Sequence, residues 1–384
     1  MLEQQRQIQP LRKPFEVDNN EMNPLAVVKE TAGYTSIFRT IGIIGGSMSS
    51  GAIIANNPSQ MPSSDLYQYS FLQYMARLCN SEGYNFSVGG MSAHEWMDND
   101  VIGGASDLFN NHPVQMYIIQ LGNNDIQYLP NGAHADANYH LGTTADLTPD
   151  GGGNYVNSFF GKMGAIINKI REVQPRAYVF LSTFFDGYGT PPVGFDYNQA
   201  IRDIVDYYNV RTNRSEGDEL HYYLIDYNKY GVPYGFFKGR EDWNNGYDGG
   251  IHQYCNRGSH LTPTGYLYMA YEFCTYIDWI IKNNMWDFND VAFVGTEYYY
   301  DFTITRRDIT KQSGQEDVVV DTPITTIHAG SYYTYQVTNI PAGAVVSVAM
   351  DGYAAPSDSY DSSTNILTLE HVLGNVIILV TQTI

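Results

Sequence analysis

The sequence predicts an α/β fold with a mostly parallel sheet, followed by a small all-β domain at its C-terminal end. Two observations carry the prediction. Between residues 37 and 290, short apolar runs alternate with stretches of helical spacing, the pattern of strands covered by helices on both faces. After about residue 290 the helical spacing gives way to short β runs separated by Gly and Pro, which reads as a sandwich-like module. The resulting division is an extended arm over 1–36, an α/β domain over 37–290 and a β-sandwich-like accessory domain over 291–384.

The elements follow in order. Residues 1–36 are polar, with Pro10, Pro14 and Pro24 as breakers. Ile37 to Ile44 is a buried strand ending at Gly45-Gly46. Residues 64–80 have helical spacing, with Cys79 as a small apolar filler. A short strand from Asn85 to Val88 ends at Gly89-Gly90, and a buried strand over 115–121 ends at Gly122. Residues 126–153 form a long polar loop of the kind that rims a site. Its His134, Asp136 and His140 match no metal-ligand spacing and read as solvated. From Asn154, Val156, Phe159, Phe160, Met163, Ile166, Ile167, Ile170 and Val173 define one helical face, stopped by Pro175. A strand over Tyr178–Ser182, a helix near 196–208 and a strand over 221–226 continue the alternation. A polar stretch, 231–259, precedes a last helix with Thr262 as its cap and Pro263 as its first residue. Leu267, Ala270, Cys274, Ile277 and Ile281 form that helix's buried face. The later β runs are 298–304, 332–338, 344–350, 366–370 and 375–381.

Composition excludes several functions. The chain has 384 residues and a formal net charge of −20. So acidic a surface repels nucleic acid and anionic membranes and suits a neutral substrate. Aromatic residues reach 14%, led by 33 tyrosines, a side chain suited both to strand packing and to glycan or partner contact. Three cysteines, Cys79, Cys255 and Cys274, do not make a disulfide scaffold. The N-terminal stretch has no apolar run, and no later stretch is long and apolar enough to cross a membrane. The expectation is a cytoplasmic protein or one carried in a virus particle.

Four pieces could carry chemistry. In Gly45-Gly46-Ser47-Met48-Ser49-Ser50-Gly51, a serine follows a buried strand on a glycine turn, which exposes it at the sheet's carboxyl edge. At Gly89-Gly90 a backbone N–H can approach an oxyanion with no side chain in the way. Gly122-Asn123-Asn124-Asp125 puts an amide donor directly after a buried strand. In Gly258-Ser259-His260-Leu261-Thr262-Pro263, a histidine two residues before a helix cap is held at a fixed place, where its neutral imidazole can act as general base. Each piece alone is also an ordinary turn, and a lone histidine is more often structural. Their order and strand context set them apart.

Together the four resemble the conserved blocks of SGNH (GDSL-like) hydrolases, in that family's chain order. Ser47 and Gly51 match the first block. Gly90, five residues after Asn85, matches the second. Asn124 matches the Gly-x-Asn-Asp block, and His260, followed by Pro263 and Gly265-Tyr266, matches the last. The resemblance covers roughly residues 36–285. Stretches such as KETAGYTSIFRTIGIIGG and GSHLTPTGYLYMA are similar to a subgroup of uncharacterised bacterial and phage members. The stretch from Gly343 onward resembles short Ig-like modules appended to bacterial surface and phage tail proteins. The family resemblance implies a flavodoxin-like three-layer sandwich. It also implies serine esterase chemistry with Ser47 as nucleophile and His260 as base. The resemblance further implies that the N–H groups of Ser47 and Gly90 and the Asn124 amide form the oxyanion hole, with no metal or cofactor. Two positions depart from the pattern. Gly46 stands where the family often has Asp. Arg257 stands three residues before the histidine, where the orienting acid is usual, and a cation cannot do that work. Either a backbone carbonyl orients His260, giving a dyad, or Asp248 does.

The expected substrate is an acylated glycan or another small ester, with acetyl groups on carbohydrate foremost. The competing reading is a catalytically decayed scaffold that serves as a phage tail or glycan-binding structural protein. A lipid esterase ranks lower, because the 126–153 loop is polar. The C-terminal module is expected to serve homo-oligomerisation, virion assembly or glycan contact.

Overall fold

The structure is a computed structural model. It describes residues 33–53, 64–188, 190–214, 218–238, 255–256, 260–295, 301–328, 330–370 and 372–384. Asp248 and Arg257 lie outside the described residues.

The first half runs β1 (Thr40–Gly45), α1 (Ser47–Ser50), β2 (Ala52–Ile53), β3 (Ser64–Asp65), α2 (Phe71–Cys79), β4 (Glu82–Ser87), α3 (Ala93–Trp96), α4 (Asp107–Asn110) and β5 (Met116–Gln120). It continues with α5 (Phe159–Val173), β6 (Tyr178–Ser182), α6 (Tyr197–Asn209), β7 (His221–Ile225), α7 (Tyr227–Tyr230) and α8 (Tyr234–Lys238). Then come β8 (Cys255–Asn256), β9 (His260–Leu261) and α9 (Pro263–Asn283). Strands β4, β1, β5, β6 and β7 form one sheet in that order, and every pairing is parallel. Strand order reverses at β1, so the crevice between the carboxyl ends of β1 and β5 is the place where such sheets bind ligands.

Strand alternation divides the core. Ile41, Ile43, Met116, Ile118, Tyr178 and Phe180 pack with α2 and α9 on one face. Ile44, Tyr117, Ile119, Val179 and Leu181 pack with α5 and α6 on the other. This is the three-layer α/β sandwich expected. The helix caps follow local rules. Ser158 Oγ accepts the Gly161 N–H at 3.0 Å to open α5, and Thr262 Oγ1 accepts the Gly265 N–H at 3.2 Å to open α9, with Pro263 at its first turn.

Several elements are placed differently from the sequence expectation. The first strand begins at Thr40, because Tyr34–Ile37 winds into a 3₁₀ turn whose Ile37 faces solvent. The helix expected over 64–80 begins at Phe71. Ser70 caps it, and Ser64–Asp65 instead pairs with β2. Strand β4 is longer than its apolar run, because an edge strand buries only its end, Phe86 and Ser87. Val156 precedes α5 and is exposed. Leu267 is half-buried, whereas Ala270, Cys274, Ile277 and Ile281 are buried.

The C-terminal strands form separate sheets. They are β10 (Asp301–Lys311), β11 (Val318–His328), β12 (Tyr333–Gln336), β13 (Val345–Met350), β14 (Tyr353–Ala354), β15 (Tyr360–Asp361), β16 (Ile366–Leu369) and β17 (Val376–Thr383). A five-stranded sheet, β11-β10-β17-β13-β14, and a three-stranded one, β12-β16-β15, enclose a core of Ile304, Val337, Leu367, Val376 and Ile378. The long edge strand β11 gave no clear sequence signal. Nearly all of its residues are exposed, so no buried face imposes alternation on it.

Candidate active site

The parallel register aligns Gly45 of β1 with Ser87 of β4 and with Gln120 of β5. The chain therefore leaves three adjacent strands at one level, and Ser47, Gly90 and Asn124 follow within four residues of it. Their convergence is a consequence of strand register, not of any single motif.

Ser47 is the first residue of the one-turn helix α1, which closes with Gly51 in the left-handed conformation. Of the three serines in that turn, Ser49 and Ser50 are fully buried and their hydroxyls are engaged. Ser49 Oγ donates to Gln120 Oε1 at 3.1 Å, and Ser50 Oγ to Asp65 Oδ1 at 2.6 Å. Ser47 is the one that reaches the surface. Asn85 Nδ2 donates to Ser49 O at 2.9 Å and ties the turn to β4.

Gly46 has a steric reason to be glycine. A Cβ there would lie 2.6 Å from Asn124 Nδ2 and 3.1 Å from Met91 O. The space that the family's Asp would need is filled by the Asn124 amide and the turn after β4. Asn124 Nδ2 donates one hydrogen to Met91 O at 2.9 Å, which leaves a second N–H. Gly90 has φ +84°, and a Cβ on it would meet nothing within 4 Å, so its backbone borders open space. No acceptor takes its N–H among the described residues.

Asp125 holds this edge together. It is fully buried and accepts from Ala93 N at 3.0 Å, His94 N at 3.1 Å and Tyr139 Oη at 2.5 Å. It therefore fixes the segment just after Gly90-Met91. The last residue of the Gly-x-Asn-Asp block thus has a positioning role that its sequence setting did not specify. The 126–153 loop is anchored next to it. Asp136 Oδ2 meets His94 Nε2 at 3.1 Å and Asn157 Nδ2 at 2.8 Å, while His140 Nδ1 meets Asn138 O at 3.0 Å. Among the described residues no three His, Cys, Asp or Glu side chains converge as a metal-ligand group.

His260 lies on β9, opposite Asn256 of β8. Strand β9 packs on both α1 and β2. The Tyr266 hydroxyl donates to Ala52 O at 2.7 Å and locks the start of α9 onto β2. His260 and Ser47 are thus carried on elements that contact each other. Burial lowers the His260 pKa below the ordinary histidine value, and the charge of Asp65 acts in the opposite direction. A neutral imidazole at neutral pH is what a general base requires.

A cavity of about 220 Å³ opens beside Asn124 and is lined by Asn123, Gln127, Tyr188 and Tyr197 among others. Amide and phenol groups suit hydroxyl-rich ligands. A larger cavity, about 450 Å³, lies between the sheet's opposite end and the C-terminal strands, lined by Arg176, Arg214, Asp287 and Tyr332 among others. It is remote from Ser47 and plays no part in the site.

Residues 36–273 match the family described as GDSL-like Lipase/Acylhydrolase. No curated protein matches the chain. Among solved structures, it is similar to a possible lipase from Chitinophaga pinensis, with 17% identity and a TM-score of 0.39 over 64% of this chain and 98% of that one. It is also similar to a family two carbohydrate esterase from Clostridium thermocellum in complex with cellohexaose, at 13% identity and a TM-score of 0.37, over 67% of this chain and 66% of that one. A family 3 carbohydrate esterase from Talaromyces cellulolyticus gives 14% identity and a TM-score of 0.34, over 64% and 98%.

Proposed function

Because this chain belongs to the GDSL-like lipase/acylhydrolase family and is an esterase, we propose that it hydrolyses carboxylic esters through Ser47 and His260, with O-acetyl groups on carbohydrate as the substrate class. A hydroxyl is a weak nucleophile until a base takes its proton. Ser47 Oγ attacks the ester carbonyl as His260 takes that proton. The developing oxyanion meets the N–H groups of Ser47 and Gly90 and the second N–H of Asn124. His260 then returns its proton to the leaving alcohol, and a water activated by the same imidazole releases the acid from the acyl-serine.

The observation that supports this reading is the shared level of three strand ends, with β9 packed over α1. The choice of carbohydrate is supported by the polar, tyrosine-bearing cavity beside Asn124 and by the acidic chain, whose charge of −20 disfavours polyanionic ligands. The C-terminal module serves attachment, oligomerisation or glycan contact in this reading. Its edge strand β11 is open to a partner, with Val318, Val319 and Val320 exposed. The test is turnover of p-nitrophenyl acetate and of acetylated polysaccharides, with and without Ser47→Ala. Loss of turnover in the variant is expected. Retained turnover contradicts the assignment, and a folded wild type inert on every ester supports a decayed scaffold.

A further inference from the structure

The family's orienting acid is replaced by Arg257, yet a carboxylate from a distant part of the sequence is built into the site. Asp65 lies on β3, opposite Ala52 of β2. One of its oxygens accepts the Ser50 hydroxyl at 2.6 Å and the other the Gly89 N–H at 2.9 Å. Ser50 belongs to the turn that begins at Ser47, and Gly89 immediately precedes Gly90. The same β2 that pairs with β3 also contacts β9, which carries His260, and the Tyr266 hydroxyl fastens α9 to β2 through the Ala52 carbonyl.

We infer that Asp65 is a positioning residue of this site: its carboxylate joins the Ser47 turn to the Gly89-Gly90 turn and supplies the negative charge that steadies the His260 imidazolium. The inference rests on the reading of Ser47 and His260 given above. Two hydrogen bonds, from the Ser50 hydroxyl and the Gly89 N–H, fix the carboxylate in place. It does not touch the substrate and takes no proton. When Ser47 transfers its proton, a cation forms on His260, and a fixed anion nearby lowers the energy of that state. Among the described residues Asp65 is the carboxylate whose charge acts on the imidazole, raising its proton affinity against the effect of burial. One side chain thus couples the nucleophile, an oxyanion donor and the base, although none of them is close to it in sequence.

The test is Asp65→Asn in the full chain, with circular dichroism and a thermal melt as fold controls. The His260 titration is read by NMR of the imidazole signals, assigned with His260→Gln. Removal of the charge should lower the His260 pKa. It should also reduce kcat by roughly one to two orders of magnitude, short of the roughly 10⁴-fold loss when the acid of a full triad is neutralised, with KM changed little. A role confined to packing would leave the titration where it was. An unchanged or raised His260 pKa in folded Asp65→Asn therefore overturns the inference, whatever happens to turnover. If that variant fails to fold, Asp65→Ser keeps an acceptor without the charge and gives the same readout. The titration does not depend on catalysis. Failure of the esterase reading shows separately, as ester turnover that survives Ser47→Ala.

Discussion

Replacing Asn124 by alanine separates its turn-tying hydrogen bond from the oxyanion role proposed for it. Its Nδ2 donates to Met91 O at 2.9 Å and lies 2.6 Å from where a Cβ on Gly46 would fall. The bond to Met91 exists in the resting protein. Its loss should cost about 1 kcal/mol of stability, the usual net value of one hydrogen bond. The second N–H works only when an oxyanion forms. Losing one such donor typically lowers kcat by roughly 10²–10³, or about 2.7–4 kcal/mol of transition-state stabilisation. The large effect should therefore fall on kcat and the small one on stability, with KM nearly constant, because the carbonyl oxygen bears little charge in the ground state. Steady-state kinetics on p-nitrophenyl acetate and a urea denaturation curve measure both. If Asn124→Ala keeps kcat within about threefold of wild type, Asn124 is a turn residue only. If kcat falls and the urea midpoint collapses with it, the loss reflects unfolding and the oxyanion assignment loses its support.

Other outcomes follow from titrating groups. Burial pushes the Glu272 carboxyl up to about 8, although the Tyr227 hydroxyl and Val232 N–H hydrogen-bond to it. A raised folded pKa means that its contribution to stability is complete below the unfolded value of 4.5 and is lost as pH rises to about 8. Across that window, wild-type stability should fall relative to Glu272→Gln by up to about 1.4 kcal/mol per pH unit, read from urea midpoints. A gap that stays constant between the two proteins refutes an ionising Glu272. For His260 the sign is reversed. Burial lowers its pKa, so the acid limb of kcat/KM should have its midpoint below the ordinary histidine value of 6.5. A midpoint above 6.5 contradicts the described environment.

The elements that carry the candidate site residues were legible in the sequence where local rules govern them. Apolar runs ending in glycine placed the strand ends at Ile44, Val88 and Leu121, each one residue from the observed Gly45, Ser87 and Gln120, and Thr262-Pro263 marked the helix that follows His260. Because the sheet is parallel, marking strand ends was enough to group Ser47, Gly90 and Asn124. Cross-chain partners were not legible. Nothing near Asp65 in sequence says that Ser50 and Gly89 would bind it, and nothing near Asp125 points to Ala93, His94 and Tyr139. A carboxylate's role depends on what the fold brings to it. The reason for Gly46 was hidden in the same way, because the atom that excludes a side chain there belongs to Asn124. Asp248, which the sequence left open beside a backbone carbonyl as the group that orients His260, lies outside the described residues.

The central claim is that Ser47 carries the acyl group. Rapid acid quench during turnover of an activated acetyl ester, followed by peptide mass spectrometry, tests it most directly, because covalent catalysis leaves an acyl-enzyme to be caught. The account predicts an acetyl adduct on the peptide containing Ser47, absent from Ser47→Ala and accumulating in His260→Gln if deacylation is the slower step. Turnover without that adduct, or an adduct that forms equally in Ser47→Ala, would contradict it.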